Sequence, residues 1–307
     1  MDSIHRTVLL NETIDGLNLK DKSLVVDATF GGGGHSREIC KRYKQVKIIA
    51  LDQDKSVWER WNLEALPPNG GKASKLSCDI SFQNMNFRDL NLSNDSVDAI
   101  IFDLGLSSDQ LENSGRGFSF MKSEPLLMTM KENPLSEDIT AKDIVNDWSE
   151  ESLADILHGY GEEKFSRRIA KGIAQERKNK KIQTTSDLVK IIEKSVPARY
   201  RNGKLSKKLH VATKTFQALR IAVNDELNTL QRGLEVGFVA LKTGGRMAVI
   251  SFHSLEDRIV KRFYKTRAQE GKVTLINKKP ITVSPQELKD NPRARSAKLR
   301  ILEKIEP

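Results

Sequence analysis

Apolar residues along this 307-residue chain fall into two rhythms that change place along its length. In the first hundred residues, short and nearly unbroken apolar runs alternate with stretches of helical spacing. The runs at 24–30, 47–52 ("KIIALD") and 98–104 ("DAIIFDL") predict buried strands, with helices at 36–43 and 56–66. Such strands, joined by crossover helices, imply a parallel sheet covered on both faces. "LPPNGGK" at 66–72 predicts a surface turn.

The rhythm then changes. From about residue 140 to 196 there is helical spacing and no convincing strand. "TTSDLVKIIEKSVP" opens on capping residues and stops at Pro197, and "ARYRNGKLSKK" predicts a basic loop. Phe216, Leu219, Val223, Leu227, Leu230, Leu234, Phe238 and Leu241 form one apolar stripe, which predicts a single long helix. "TGG" predicts a turn, "RMAVISF" restores the strand pattern, and "SLEDRIVKRFYK" opens on a Ser-x-x-Asp cap. "VTLIN" and "AKLRILEK" predict final strands. The economical reading is a discontinuous α/β domain interrupted by a helical insertion. Its parts are residues 1–110, the insertion 111–208, and 209–307.

Composition narrows the class. Apolar residues make up 38% and charged residues 30%, and no apolar run reaches the length of a membrane span. The N-terminus lacks the basic start and apolar stretch of a secretory signal. Only Cys40 and Cys78 are present, which predicts neither a disulfide framework nor a zinc site and fits a reducing cytoplasm. With no HExxH or Cys-x-x-Cys, no protein-built metal site is expected. The net charge is +10. Residues 162–214 hold 16 Lys or Arg against 5 Asp or Glu, a net of +11, so the remainder stands near −1. A basic segment concentrated on a near-neutral background predicts a polyanionic partner, RNA first, with Lys178, Lys180 and Lys181 as its densest run. A solvated helix face is the plainer alternative.

Candidate chemistry collects where an open parallel sheet binds ligands, beyond the carboxyl ends of its strands. The first strand runs into "DATFGGGGHS" (27–36), a glycine turn that either only reverses the chain or lets a ligand lie against the backbone. The second ends in Asp52, 18 residues after Gly34, and a carboxylate there accepts hydrogen bonds from ribose hydroxyls. Phe87 follows in "NMNF". The next strand end is "DLGLSSDQL" (103–111), and another is "SFHSLED" (251–257), which places His253 on the RNA side. The phosphate-binding pattern G-x-x-x-x-G-K-[ST] is absent. The dinucleotide pattern needs glycine where Ser36 stands, which weakens a nicotinamide-dependent oxidoreductase. A nucleoside without phosphates remains, and S-adenosylmethionine is the common one. Asp103 beside Ser107 and Ser108 suits an acceptor for an exocyclic amino group, aiming its lone pair at a methyl group. The plainer alternative is a turn and a cap.

These stretches, with "HRTVLLNE", "RGFSF", "YGEEKFSRRIAKGI", "TKTFQALRIAVNDEL", "GGRMAVISFHSLEDRIVKRF" and "NPRARSAKLR", resemble the MraW (RsmH) family of bacterial small-subunit rRNA cytosine-N4 methyltransferases. The resemblance runs from residue 5 to residue 300. It implies a class I, Rossmann-like S-adenosylmethionine-dependent methyltransferase sheet with an inserted all-helical domain. It implies cofactor contacts at Gly33, Gly34, His35, Asp52, Phe87, Asp103 and Gln110. It also implies a target cytosine in the decoding region of 16S rRNA, within the small ribosomal subunit. The chain departs from the family at "PLLMTMK" (Leu127, Thr129, Lys131), where the family resembles "PLDMRMD", and at Val211 and Lys214. The other functional reading, a ribosome-binding assembly factor with weak or no methylation, rests on the first of these.

Overall fold

The computed structural model describes residues 7–64, 78–201 and 210–305. The predicted turn at 66–72 and most of the predicted basic loop lie outside them, as does His5. Contacts divide the chain into two units, one of residues 1–107 and 227–307 and one of residues 108–226. The 209–226 stretch therefore groups with the insertion, whereas the sequence reading placed it with the sheet.

In chain order the first unit begins α1 (Leu10–Leu17), β1 (Leu24–Asp27), α2 (Gly34–Arg42), β2 (Lys47–Asp52), α3 (Ser56–Glu64), β3 (Asp79–Asn84) and β4 (Val97–Asp103). The second unit holds α4 (Ser108–Glu112), α5 (Ala141–Asp147), α6 (Glu150–Gly159), α7 (Ser166–Asn179), α8 (Thr185–Ser195), α9 (Ala198–Arg201) and α10 (Thr213–Asn224). The chain returns with α11 (Glu226–Ala240), β5 (Leu241–Ser251), α12 (Ser254–Gln269), β6 (Val273–Leu275), β7 (Ile281–Thr282), α13 (Pro285–Asp290) and β8 (Lys298–Lys304).

The sheet order is β3-β2-β1-β4-β5-β8-β6, with β7 also on β8. The first five are parallel, and β8 joins β5 antiparallel. Successive residues of the central strands feed opposite faces, as a pleated strand requires. Val25, Ala99, Ile101, Ala248 and Ile250 pack with Ile39 of α2 and Trp58 and Trp61 of α3. Val26, Ile100, Phe102, Met247 and Val249 pack with Leu230, Leu234 and Phe238 of α11 and Val260 and Tyr264 of α12. Both faces are covered, which explains the unbroken apolar runs.

Four expectations change. The single long helix is two: α10 ends at Asn224, and Asp225 takes a left-handed conformation (φ 47°) before α11 begins. Asp tolerates that region better than most residues, so the apolar stripe continues while the backbone breaks. "TGG" is not a turn ahead of the strand but an irregularity within β5. The register steps from Val97↔Leu241 to Ala99↔Arg246, five residues on one strand against two on the other. The strand β3 escaped notice because its sequence, DISFQN, is polar, as suits the edge of the sheet. Finally, Cys40 and Cys78 are joined in a disulfide with Cα atoms 5.2 Å apart, where two unpaired thiols were expected.

The second unit is helical, as predicted. Capping boxes at Thr140/Asp143 and Thr184/Asp187 start α5 and α8. Its "PLLMTMK" segment is fastened within the unit. Asn224 donates to the Met128 carbonyl at 2.7 Å and accepts from Met130 N–H at 2.8 Å, and buried Arg116 donates to the Met130 carbonyl at 2.7 Å. Thr129 is buried, and Lys131 pairs with Asp138 at 2.5 Å. Val211 is buried, and Lys214 Nζ donates to the Glu162 carbonyl at 2.7 Å. No helix among the described residues is long and apolar enough to cross a membrane.

Candidate active site

Strand order reverses direction between β1 and β4, and in such sheets the crevice at the reversal is where ligands bind. The glycine turn follows β1 at this point, and Asp103 closes β4. The turn is tied down on both sides. Phe30 N–H donates to the Leu51 carbonyl at 2.9 Å, and Gly31 N–H donates to Asp52 Oδ2 at 2.8 Å. Asp52 Oδ1 accepts from Asp54 N–H at 2.9 Å. One backbone donor on each oxygen leaves lone pairs for a diol, since a carboxylate has about four acceptor positions. Burial raises the Asp52 carboxyl to about 6, against the lowering effect of these two bonds.

Three of the four glycines divide by job. Gly33 (φ +66°) is buried, and a Cβ there would meet the rings of Phe30 and Trp61; one on Gly34 would meet Thr7. Both spaces are filled by the protein's own side chains, so the sequence argument that glycine opens backbone to a ligand does not apply at these two. It applies at Gly31 (φ +50°), where an added methyl group would stand 3.9 Å from Ser107 Cβ and the Thr29 carbonyl oxygen and meet nothing closer. Gly31 was missed because a run of four glycines carries no mark of which one faces outward.

Asp103 is set by Thr29, which follows β1, and by His35 of α2. Its N–H donates to Thr29 Oγ1 at 2.6 Å, and its Oδ2 lies 3.7 Å from Nδ1 of buried His35. Its Oδ1 is buried with no hydrogen-bond partner among the described residues. A buried acceptor left unpaired is costly, and it is what a site that binds an N–H donor requires. Burial pushes this carboxyl well above the usual range, and the charges of Asp27 and Glu256 push it further. The first unit thus brings together Gly31, His35, Asp52, Asp103 and Ser107. These residues fit a nucleoside-bearing ligand: a carboxylate with lone pairs left for a diol, an open glycine, and a carboxylate oxygen without a partner among the described residues.

The profile of the MraW methylase family matches residues 2–305. The chain is 44% identical to ribosomal RNA small subunit methyltransferase H of Acaryochloris marina, over 98% of this chain and 94% of that one. It is 42% identical to the protein of that name from Lactobacillus gasseri, over 98% and 99%, and 44% identical to the one from Dictyoglomus thermophilum, over 100% and 98%. The chain belongs to the MraW methylase family. Its cofactor is accordingly that of an S-adenosylmethionine-dependent methyltransferase.

The remaining expected residues of this MraW chain have the following surroundings. Phe87 packs edge-on against Phe102, ring centres 5.3 Å apart, and its ring occupies the space a Cβ on Gly233 of α11 would need. His253 is the N-cap of α12, in a capping box with Glu256, whose carboxylate accepts from Phe252 N–H at 2.8 Å and His253 N–H at 3.2 Å. It therefore has a local role in starting a helix. Gln110 lies on α4 in the second unit and is buried. Ser108 begins α4, and its side chain lies outside the described residues. Lys178, Lys180 and Lys181 are exposed at the end of α7, with Lys181 paired to Asp147 at 3.0 Å. The sequence reading did not single out Asp27, Thr29, Ser36 or Glu256 at the site. Asp27 and Thr29 read as parts of an apolar strand, and the sequence pattern puts the cap of α12 at Ser254 with Asp257, whereas it is His253 with Glu256.

Proposed function

We propose that this protein transfers a methyl group from S-adenosylmethionine to the exocyclic N4 of a cytidine in the decoding region of 16S rRNA, acting on the small ribosomal subunit. The observation that carries the chemistry is Asp103, a partly buried carboxylate with one orphaned oxygen at the strand reversal. The family and the names of its relatives support the substrate class. The donor supplies an electrophilic methyl group on a sulfonium, so the protein's task is alignment. Asp52 takes the ribose hydroxyls and Gly31 keeps the backbone accessible. Asp103 Oδ1 accepts one N–H of the cytosine amino group, which turns the nitrogen lone pair toward the methyl group. Ser107 stands beside Gly31 and shapes the pocket, with Ser108 following it. Gly33, Gly34 and Phe87 hold the walls of the site, and Gln110 is a cofactor contact by resemblance. Lys178, Lys180 and Lys181 bind phosphate.

The test is transfer of labelled methyl from S-adenosylmethionine to purified small subunits by the wild type and by Asp103→Asn, followed by mass analysis of the modified nucleoside. The asparagine amide presents a donor where an acceptor is needed. Turnover is expected to fall by about 10²-fold or more, the scale of losing one preorganised polar contact, with a smaller change in cofactor affinity. Normal turnover by Asp103→Asn would remove it from the chemistry. A wild type that binds cofactor and methylates no subunit preparation would favour the assembly factor.

A further inference from the structure

Asp27 closes β1 and has no part in the reaction as described so far. Its side chain is buried, 1% exposed. Oδ2 accepts from Ser36 Oγ at 2.6 Å, and Oδ1 is buried with no hydrogen-bond partner among the described residues. Ser36 follows His35 at the start of α2, so this bond fixes the helix that carries His35. β4 lies directly beside β1: Ala28 N–H donates to the Ile101 carbonyl at 2.9 Å, and Asp103 N–H donates to Thr29 Oγ1. Asp27 and Asp103 thus close adjacent strands on the same edge. Among the described residues, the other titratable groups there are Asp52 at the end of β2, Asp54 just after it, His35 on α2, and His253 and Glu256 at the start of α12. Anchoring Ser36 requires only a neutral acceptor. A carboxylate with one orphaned oxygen is a costly way to supply it.

Building on the N4-methylation reading, we propose that Asp27 is a positioning residue for proton removal: its buried charge, held by Ser36 beside Asp103, keeps Asp103 the acceptor of the proton that the amino group must lose. The exocyclic nitrogen forms its bond to the methyl carbon as the carbon–sulfur bond gives its electron pair to sulfur. The nitrogen, now cationic, returns to neutrality when its N–H pair falls back to it and the proton passes to Asp103 Oδ1. Burial raises Asp27 itself to about 6, although the hydrogen bonds from Ser36 and from the Thr29 backbone pull the other way, so it is largely charged at neutral pH. Asp27 precedes Glu256 among the charges that push Asp103 upward, after burial itself. Removing the Asp27 charge therefore makes Asp103 a weaker base.

Aspartate-carboxyl carbon NMR can read the Asp103 midpoint directly in the full-length protein, with Asp103→Asn to assign the resonance. The midpoint should fall by about one pH unit in Asp27→Asn, the shift expected from losing a nearby like charge. The acid limb of the single-turnover rate on small subunits should move the same way. Ser36→Ala cuts the anchor and leaves the charge, so it should not lower the midpoint. An Asp103 midpoint unmoved in Asp27→Asn overturns the proposal. So does a Ser36→Ala variant that lowers it equally, because Asp27 would then act only through packing. A midpoint that moves in a protein that methylates no small-subunit RNA supports the coupling and sinks the substrate reading instead.

Discussion

Replacing Asp52 with Asn tests whether the carboxylate at the end of β2 is held for binding at a cost to stability. Burial raises its midpoint from 3.8 to about 6, so at neutral pH the folded protein carries a charge it disfavours. Two units correspond to about 3 kcal/mol between the protonation states. The folded midpoint lies above the unfolded one. Stability from this group is therefore fully present only below about pH 4, and it is lost as pH rises through about 6. Asn has no such titration. Between about pH 8 and about pH 5, linkage gives the wild type a gain of about 1.4 kcal/mol over Asp52→Asn. Urea unfolding of both proteins at the two pH values reads this as a double difference, in which the titration of other groups largely cancels. The amide keeps one acceptor oxygen and must turn its NH2 toward either Gly31 N–H or Asp54 N–H, which now donate at 2.8 and 2.9 Å. Toward the cofactor, Asn offers the ribose hydroxyls an uncharged acceptor, and losing a charge-assisted bond there costs about 1.5–3 kcal/mol, or roughly tenfold to a hundredfold in S-adenosylmethionine affinity by calorimetry. A stability difference independent of pH would refute the burial argument. Unchanged affinity would remove Asp52 from the cofactor site.

Gly31→Ala and Gly33→Ala should fail differently. Both force alanine to positive φ, at about 1–2 kcal/mol, but only Gly33 also drives a methyl group into Phe30 and Trp61. Thermal unfolding should show Gly33→Ala as the less stable, and calorimetry should show Gly31→Ala losing cofactor affinity while still folded; the reverse pattern would invert their roles. Reducing the Cys40–Cys78 bond, which spans 38 residues, should cost up to about 4 kcal/mol by loop-closure entropy. The readout is denaturant unfolding with and without reductant, and equal midpoints would mean the link contributes nothing. Replacing Lys178, Lys180 and Lys181 with Gln should flatten the salt dependence of RNA binding by roughly 2 units of slope. An unchanged slope would make that run a solvated face.

Much of this protein could be read from its sequence because periodicity is a local record of burial. The strands β1, β2 and β4 declared themselves through unbroken apolar runs, since both their faces are covered. Strand ends in a parallel sheet share one edge, so the sequence alone puts Asp52 and Asp103 on the same edge of the sheet. The edge strand β3 left no such record, because half-exposed polar positions look like loop. The break at Asp225 left none either, because one residue at positive φ does not disturb an apolar stripe. The Cys40–Cys78 pairing joins residues far apart in sequence, and only the packing of α2 near the start of β3 decides it. The same holds for the carboxylates. Sequence supplies acids at strand ends, but ionisation depends on how much water each has lost and which charges face it. The fold decides that Asp27 is buried and held by Ser36, that Asp103 keeps an orphaned oxygen, and that Gly31 rather than Gly33 or Gly34 stands open.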